Sequence, residues 1–196
     1  MQCSRCGKEA VVVQPYSGVA LCATHAAHDL EARAKRRIRK CGGIASNERL
    51  YVQVSSGPES FALSVLLAGI LSCRCDVSFV STPADATAIV STETLDSYAC
   101  GFLQLICSGN VAEVLALRGK VLDPLAVIPR NEVVLYSRYH GWGGEDLTPF
   151  LSDPFAADVC ALLGDFSVGH PSAAYALMRI RDALPKLYLE RIDHAL

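Results

Sequence analysis

Cys3-x2-Cys6 and Cys22-x2-His25, with fifteen residues between them, constrain this chain more than anything else in it. Two short thiolate and imidazole pairs at this spacing match a tetrahedral zinc site in which each pair comes from one tight turn. Gly7 follows the first pair. The segment between the pairs (Val11–Val13, Pro15 and Tyr16, then Gly18–Leu21) suits a two-stranded hairpin. So small a module buries too little apolar surface to fold alone, and a bound metal would supply the missing free energy, on the order of 10 kcal/mol or more. With Cys3, Cys6, Cys22 and His25 filling all four positions, no place remains for a substrate water, which predicts a structural zinc ion. The competing reading is four unrelated residues near the N-terminus. A paired CxxC and CxxH is far more specific than any single cysteine.

Hydrophobic residues make up 51% of the 196 positions and charged residues 19%, a balance that predicts a globular chain with a real core plus a small appendage. The formal net charge of −2 excludes bulk affinity for nucleic acid, so any such contact must come from a local patch. Nine cysteines without a signal peptide predict a reducing, cytoplasmic setting where thiols ligate metal or sit buried. The longest apolar run, Phe61–Leu71, is broken by Ser64 and is too short to span a bilayer, so no membrane association is expected.

Along the chain, residues 1–28 read as the zinc module, 29–44 as a basic linker helix and 45–196 as an α/β domain. Thr24 is the expected cap of a helix from His25 to about Lys40, with Leu30, Ala34 and Ile38 as its apolar stripe. Arg33, Lys35, Arg36, Arg37, Arg39 and Lys40 cover its other faces, and Gly42-Gly43 ends it. These cations favour a phosphate contact over a merely solvated face. Leu50–Val54 reads as a buried strand, Ser55–Glu59 as a tight loop and Ser60–Cys73 as an apolar helix. Asp76–Ser81 and Thr87–Ser91 are further strands. Helices are expected over Glu93–Cys107, Val111–Leu117, Asn131–His140, Pro154–Leu163, Pro171–Leu184 and Lys186–His194. Strand, loop, helix and strand in that order predict a parallel α/β sheet flanked by helices, with few strands.

Val54-Ser55-Ser56-Gly57-Pro58-Glu59-Ser60 joins an apolar strand to an apolar helix, a place where backbone N–H groups and a helix N-terminus can face a phosphate. A plain turn capped by Ser60 accounts for it equally well. In combination, however, the CxxC and CxxH knuckle, the R-x-K-R-x-I-R-K helix and the strand ending in a degenerate S-G-G-x-D-S-like loop resemble the tRNA 2-thiolation proteins of the PP-loop (N-type ATP pyrophosphatase) superfamily. The resemblance is strongest over residues 1–70. Beyond that, Val90–Ala99 is similar to the family's A-T-G-H-N-L-D-D-E-A segment, and Leu122–Tyr136 to its P-L segment followed by E-V-x-x-Y.

That resemblance implies a reduced PP-loop fold, tRNA as partner, and an ancestral reaction in which ATP adenylates the 2-oxygen of a uridine before sulfur displaces AMP. It would place a nucleotide at Ser55, Ser56, Gly57, Glu59, Ser60 and Asp96. The departures argue against ATP and Mg2+ and leave no catalytic residue. Ser56 stands for a loop glycine, Pro58 removes an N–H, and Glu59 is one methylene longer than the aspartate it replaces. Ser97 and Tyr98 replace a second aspartate and a glutamate. The stretch between Ser81 and Thr87 is too short for the family's C-x-x-C insertion, Asp153-Pro154 stands for a later Cys-Pro, and a second, C-terminal zinc module has no counterpart. The pattern resembles the non-catalytic subunit of the cytosolic wobble-uridine thiolase. It implies a heterodimer with an active PP-loop paralogue, or a homodimer. The alternatives are an active ATP-dependent sulfurtransferase using Glu59 and Asp96 for magnesium, or a free-standing zinc and RNA-binding protein.

The remaining cysteines invite other readings. Cys73, Cys75, Cys100, Cys107 and Cys160 are expected to be small core residues rather than a redox cluster. Cys41, directly after the basic helix, has cations that would favour its thiolate. His140, His170 and His194 are too dispersed to suggest a second metal site.

Overall fold

The computed structural model describes residues 1–53, 57–72, 76–110, 112–115, 120–146 and 153–193. The chain divides into two compact units, Met1–Thr94 with Gly119–Thr148, and Leu95–Arg118 with Pro149–Leu196. The expected zinc module, basic helix and first strands all fall in the first unit.

That unit begins with the anticipated hairpin, β1 (Val12–Gln14) against β2 (Val19–Leu21), antiparallel with Val12 opposite Leu21. Helix α1 runs Ala23–Lys40. Its N-cap is Cys22, not Thr24, and Cys22 offers no side-chain cap. The physical reason is the CxxH spacing: residues at i and i+3 share a helix face, so starting the helix at Cys22 turns His25 back beside it. At the far end, Gly43 N–H bonds the Ile38 carbonyl (2.9 Å) and Gly42 N–H that of Arg39 (3.2 Å). This double closure requires a left-handed residue, and Gly42 supplies it with φ +96°.

The α/β part alternates β3 (Arg49–Val52), α2 (Pro58–Leu71), β4 (Ser78–Phe79), β5 (Ala88–Val90), β6 (Lys120–Leu122) and α5 (Arg130–Tyr139). The four strands form one parallel sheet in the order β4-β3-β5-β6, with Val52 opposite Val90 and Val90 opposite Leu122. Strand β6 has only three residues, too few for a period-2 pattern, and it is not among the strands expected from the sequence. Leu50, Val90 and Leu122 are fully buried against Leu30 and Ala34 of α1, Leu63 and Leu66 of α2, and Val133 and Tyr136 of α5. These helices cover that face of the sheet, while on the strands' other side Tyr51 and Ile89 are half-buried and Val121 is exposed.

The second unit is helical: α3 (Leu95–Cys107), α4 (Ala112–Leu115), α6 (Pro154–Gly169) and α7 (Ala173–Asp193). Two expectations change here. Helix α6 continues past Leu163 to Gly169, because its last turns carry exposed apolar residues whose periodicity marks no core. The two helices expected on either side of Pro185 are one, since proline deletes a single internal hydrogen bond and need not end a helix that continues on both sides. Cys100 of α3 and Cys160 of α6 are joined as a disulfide, and Cys107 is exposed, so these three are not the buried core thiols expected. Cys73 and Cys75 lie outside the described residues. Among the described residues, no helix is long and apolar enough to cross a membrane.

Candidate metal centre and degenerate phosphate loop

Four ligand atoms converge at the front of the first unit. The Cys6 and Cys22 sulfurs are 3.8 Å apart, and His25 Nδ1 lies 3.4 Å from the Cys3 and Cys22 sulfurs. All four atoms lie within 4.8 Å of one another. A tetrahedral zinc ion, with bonds of about 2.3 Å to sulfur and 2.0–2.1 Å to nitrogen, needs S···S edges of about 3.8 Å and S···N edges of about 3.6 Å. The residues therefore fit one ion. An iron–sulfur cubane takes one ligand per iron and spreads its thiolates more widely, so it fits this donor set poorly. Gly7, at φ +73°, lets the first knuckle close with its N–H on the Cys3 carbonyl (3.0 Å). Burial pushes the Cys3 thiol up, but the backbone N–H groups of Arg5, Cys22 and Cys6 and the His25 ring outweigh it and bring it down to about 5. It is thus a thiolate ready for a cation. The module's own core is Cys3, Leu21, Cys22 and Ala26, two of them ligands, so the ligand shell and the core are largely the same atoms.

A buried polar network fastens this module to the α/β part. Gln14 donates to Asp29 and to Glu132 (3.1 Å each), and the Tyr16 hydroxyl donates to Glu132 (2.7 Å). Arg33 pairs with Glu132 and, through Nε, with Asp29 at 3.0 Å. One turn on, Arg37 grips Asp123 with Nε at 2.8 Å and Nη2 at 2.5 Å, the bidentate geometry suited to a buried pair. Arg33 and Arg37 therefore face inward. Both flank the Leu30-Ala34-Ile38 stripe, and their side chains are 12% and 4% exposed. Lys35, Arg36, Arg39 and Lys40 lie on the exposed face. Of the six cations proposed for tRNA, four are thus placed where a polyanion can reach them. Cys41 also departs from expectation. Its sulfur donates to Asp123 Oδ1 (3.0 Å), and burial followed by the Asp123 carboxylate pushes the thiol up to about 12. It is a thiol, not the thiolate its neighbouring cations suggested.

The C-terminal end of β3 lies where parallel sheets bind ligands. The chain leaves β3 toward β4 on one side, while β5 pairs on the other, and the Gln53 N–H bonds the Val90 carbonyl (3.0 Å). The two family-like segments, 54–60 and 90–99, thus start from neighbouring strand ends. Ser55 and Ser56 lie outside the described residues. Gly57 is extended and caps α2, with Pro58 at its first position. Glu59 does not stand open to a metal: its Oε1 meets Arg130 Nε at 2.7 Å, and Arg130 Nη2 meets Asp146 at 2.6 Å. The Ser137 hydroxyl donates to the Pro58 carbonyl (2.7 Å), so the start of α2 is fastened to α5. Ser60 lines a cavity of about 340 Å³ with Val52, Ser64, Leu67, Leu71 and Phe79, a lining of apolar surface with two hydroxyls. Asp96 is exposed in the first turn of α3, in the second unit.

Residues 2–25 match the family model described as the N-terminal LIM domain of 2-thiouridine synthetase TtuA. The fold is similar to that of the U34-tRNA thiolase NcsA from Methanococcus maripaludis, solved with its [4Fe-4S] cluster, at a TM-score of 0.81. That likeness covers 95% of this chain and 88% of that one at 14% identity, so it is a likeness of fold. No curated protein matches the sequence. The first match covers the front module alone and the second is a match of fold.

The two motifs singled out in the sequence differ in what their side chains face. The four knuckle donors converge on one point. Glu59 is paired with Arg130 within the chain. Between Ser81 and Thr87, where the family resemblance leads one to expect a C-x-x-C insertion, a single 3-10 turn over Pro83–Asp85 fills the gap. Among the described residues, the only group of three or more metal-ligating side chains is the front cluster. Sequence reading missed Arg130, Asp146, Asp123 and Glu132. For Glu132 a signal existed, a carboxylate followed directly by the apolar Val133 and Val134 of α5. Arg130, directly after Pro129, carries no local signal at all.

Proposed function

We propose that this protein is a non-catalytic accessory subunit for 2-thiolation of the tRNA wobble uridine, acting in the cytoplasm beside an active PP-loop paralogue. The observation that carries this reading is the Glu59–Arg130 ion pair at 2.7 Å. A magnesium ion bridging ATP phosphates needs a carboxylate with open lone pairs. Here the loop carboxylate faces a guanidinium that Asp146 also holds. Burial works against the Arg130 charge, but Asp146 and Glu59 outweigh it and raise its pKa, so the cation persists at any working pH. Pro58 compounds the loss, having no N–H to offer a pyrophosphate.

In this reading Cys3, Cys6, Cys22 and His25 hold a structural zinc ion, which locks the hairpin to the start of α1 and leaves no coordination position open. Lys35, Arg36, Arg39 and Lys40, on the same helix as His25, contact tRNA phosphates. Arg33 and Arg37 serve that contact from inside, by fixing the helix they stand on. Adenylation and sulfur transfer belong to the partner.

The test is 2-thiouridine in bulk tRNA, measured by mass spectrometry in a deletion strain complemented with variants. Loss on deletion, rescue by the wild type and by E59Q, and failure of R36E/R39E are expected. Unchanged 2-thiouridine in the deletion strain overturns the reading, as does failure of E59Q expressed at wild-type level. A second reading is favoured by the apolar cavity beside Ser60, which has room for a nucleobase: an active ATP-dependent enzyme with a shortened site. Calorimetry separates the two, since an enzyme must bind magnesium–ATP at millimolar concentration or better.

A further inference from the structure

The end of α5 carries aromatic side chains that neither the metal centre nor the loop after β3 uses. The family-like E-V-x-x-Y run closes at Tyr136, and Arg138, Tyr139, His140 and Trp142 follow it. Tyr136 is buried, and its hydroxyl donates to Glu31 of α1 (3.3 Å). Trp142 is half-buried, and Gly144 approaches it so closely that a Cβ there would lie 2.8 Å from the indole. Tyr139 differs from both. It is 46% exposed, and among the described residues its hydroxyl has no hydrogen-bond partner. Its ring stands edge to face with His140, centroids 5.1 Å apart, and the His140 ring rests on that of Tyr136 at 4.4 Å. A buried ring thus props an exposed pair.

That pair adjoins the cationic face of α1. Glu31, which accepts from the Tyr136 hydroxyl, also meets Lys35 at 3.9 Å, so three contacts lead from Lys35 to His140. The Lys35–Glu31 pair is long and open to water, weak enough for the lysine to turn to a phosphate. Arg138, beside Tyr139, is exposed and has no carboxylate partner among the described residues. Cations next to an exposed aromatic ring suit single-stranded nucleic acid: phosphates meet the charges while an unstacked base lies on the ring. A duplex keeps its bases stacked inside and offers none to such a ring. A protein surface would seek apolar neighbours, and Arg138, His140 and Gly141, all exposed around Tyr139, supply none.

We propose that Tyr139, backed by His140, is a stacking site for one unpaired base of an RNA strand whose flanking phosphates lie on Arg138 and Lys35. The inference rests on the tRNA reading and adds to it a preference for unpaired RNA. Fluorescence anisotropy of the full zinc-loaded chain tests it, with a short labelled oligouridylate and an RNA duplex of the same length over a salt series. The wild type is expected to bind the single strand more tightly than the duplex. Y139A should weaken single-strand binding by about tenfold or more, the worth of one stacked base. It should leave duplex binding and the salt slope unchanged, because no phosphate contact is lost. Y139F, which keeps the ring, should bind as the wild type does. R36E/R39E should instead weaken binding of both RNAs and flatten the slope. Unchanged melting and zinc content establish that each variant is folded. A wild type without preference for the single strand overturns the proposal, as does single-strand binding that is indifferent to Y139A or lost equally in Y139F. RNA binding that needs Arg36 and Arg39 but ignores Tyr139 removes only the stacking site, whereas a wild type that binds neither these RNAs nor tRNA removes the tRNA reading with it.

Discussion

The front cluster and the loop after β3 are both places where a family-like motif puts charge-bearing side chains, yet their side chains do opposite things. At the knuckle, Cys3, Cys6, Cys22 and His25 point their donor atoms at one another, within 4.8 Å, around a space sized for one ion. At the loop, Glu59 turns to Arg130, and Arg130 to Asp146, so the charges cancel inside the chain. Donors that converge without cancelling need an outside ion, whereas a carboxylate matched with an arginine has its electrostatic partner already. A motif read only as letters does not distinguish these cases.

The largest effect that would break this contrast comes from removing the metal. Chelation, or C22S, should abolish a one-to-one zinc stoichiometry and melt the module, since metal binding there is worth on the order of 10 kcal/mol. Elemental analysis and hydrogen exchange over residues 1–25 check this, and a chelated protein with unchanged protection would end the structural-zinc reading. Next comes R37A, which strands Asp123 without its partner in the interior and should cost about 3–5 kcal/mol in denaturant unfolding. R36A, on the exposed face of the same helix, should stay within about 0.5 kcal/mol.

R36E/R39E should leave stability nearly intact but reduce tRNA affinity by roughly tenfold to a hundredfold, flattening the salt dependence by about one unit for each phosphate no longer neutralised. Filter binding over a salt series measures both quantities. R130A sharpens the loop side of the contrast. It frees Glu59, yet Pro58 and the altered carboxylate geometry remain, so magnesium–ATP binding should stay weaker than millimolar by calorimetry. The stability cost should be small, about 1 kcal/mol, because the pair is only partly shielded from water. Tight nucleotide binding by R130A would mean the loop is merely blocked. The smallest effect belongs to Cys41. With its thiol pushed up to about 12, alkylation at neutral pH should be negligible beside the exposed Cys107.

Much of the local architecture was legible from residue spacing. The hairpin, the α1 stripe, its glycine stop and the strand-loop-helix at β3 follow from short-range periods and turn chemistry, which act within a few residues. Errors arose where range exceeded that window. Thr24 is a good cap by type, but the metal geometry starts the helix at Cys22. Pro185 reads as a break, yet α7 continues through it. Cys100 and Cys160 read as core thiols because their pairing joins helices sixty residues apart in sequence.

What the sequence determined by itself is the metal knuckle, because four ligands at fixed spacings leave one way to close, together with the parallel α/β order that follows from alternating strands and helices. What only the tertiary structure decided is which charges are available. Arg33 and Arg37 stand in the same basic run as Arg36 and Arg39, and Glu59 in the same loop as its neighbours. Their partners Glu132, Asp123 and Arg130 lie 99, 86 and 71 residues away. A charge becomes structural or free according to what folds against it, and that pairing is a property of the packed chain rather than of any local pattern.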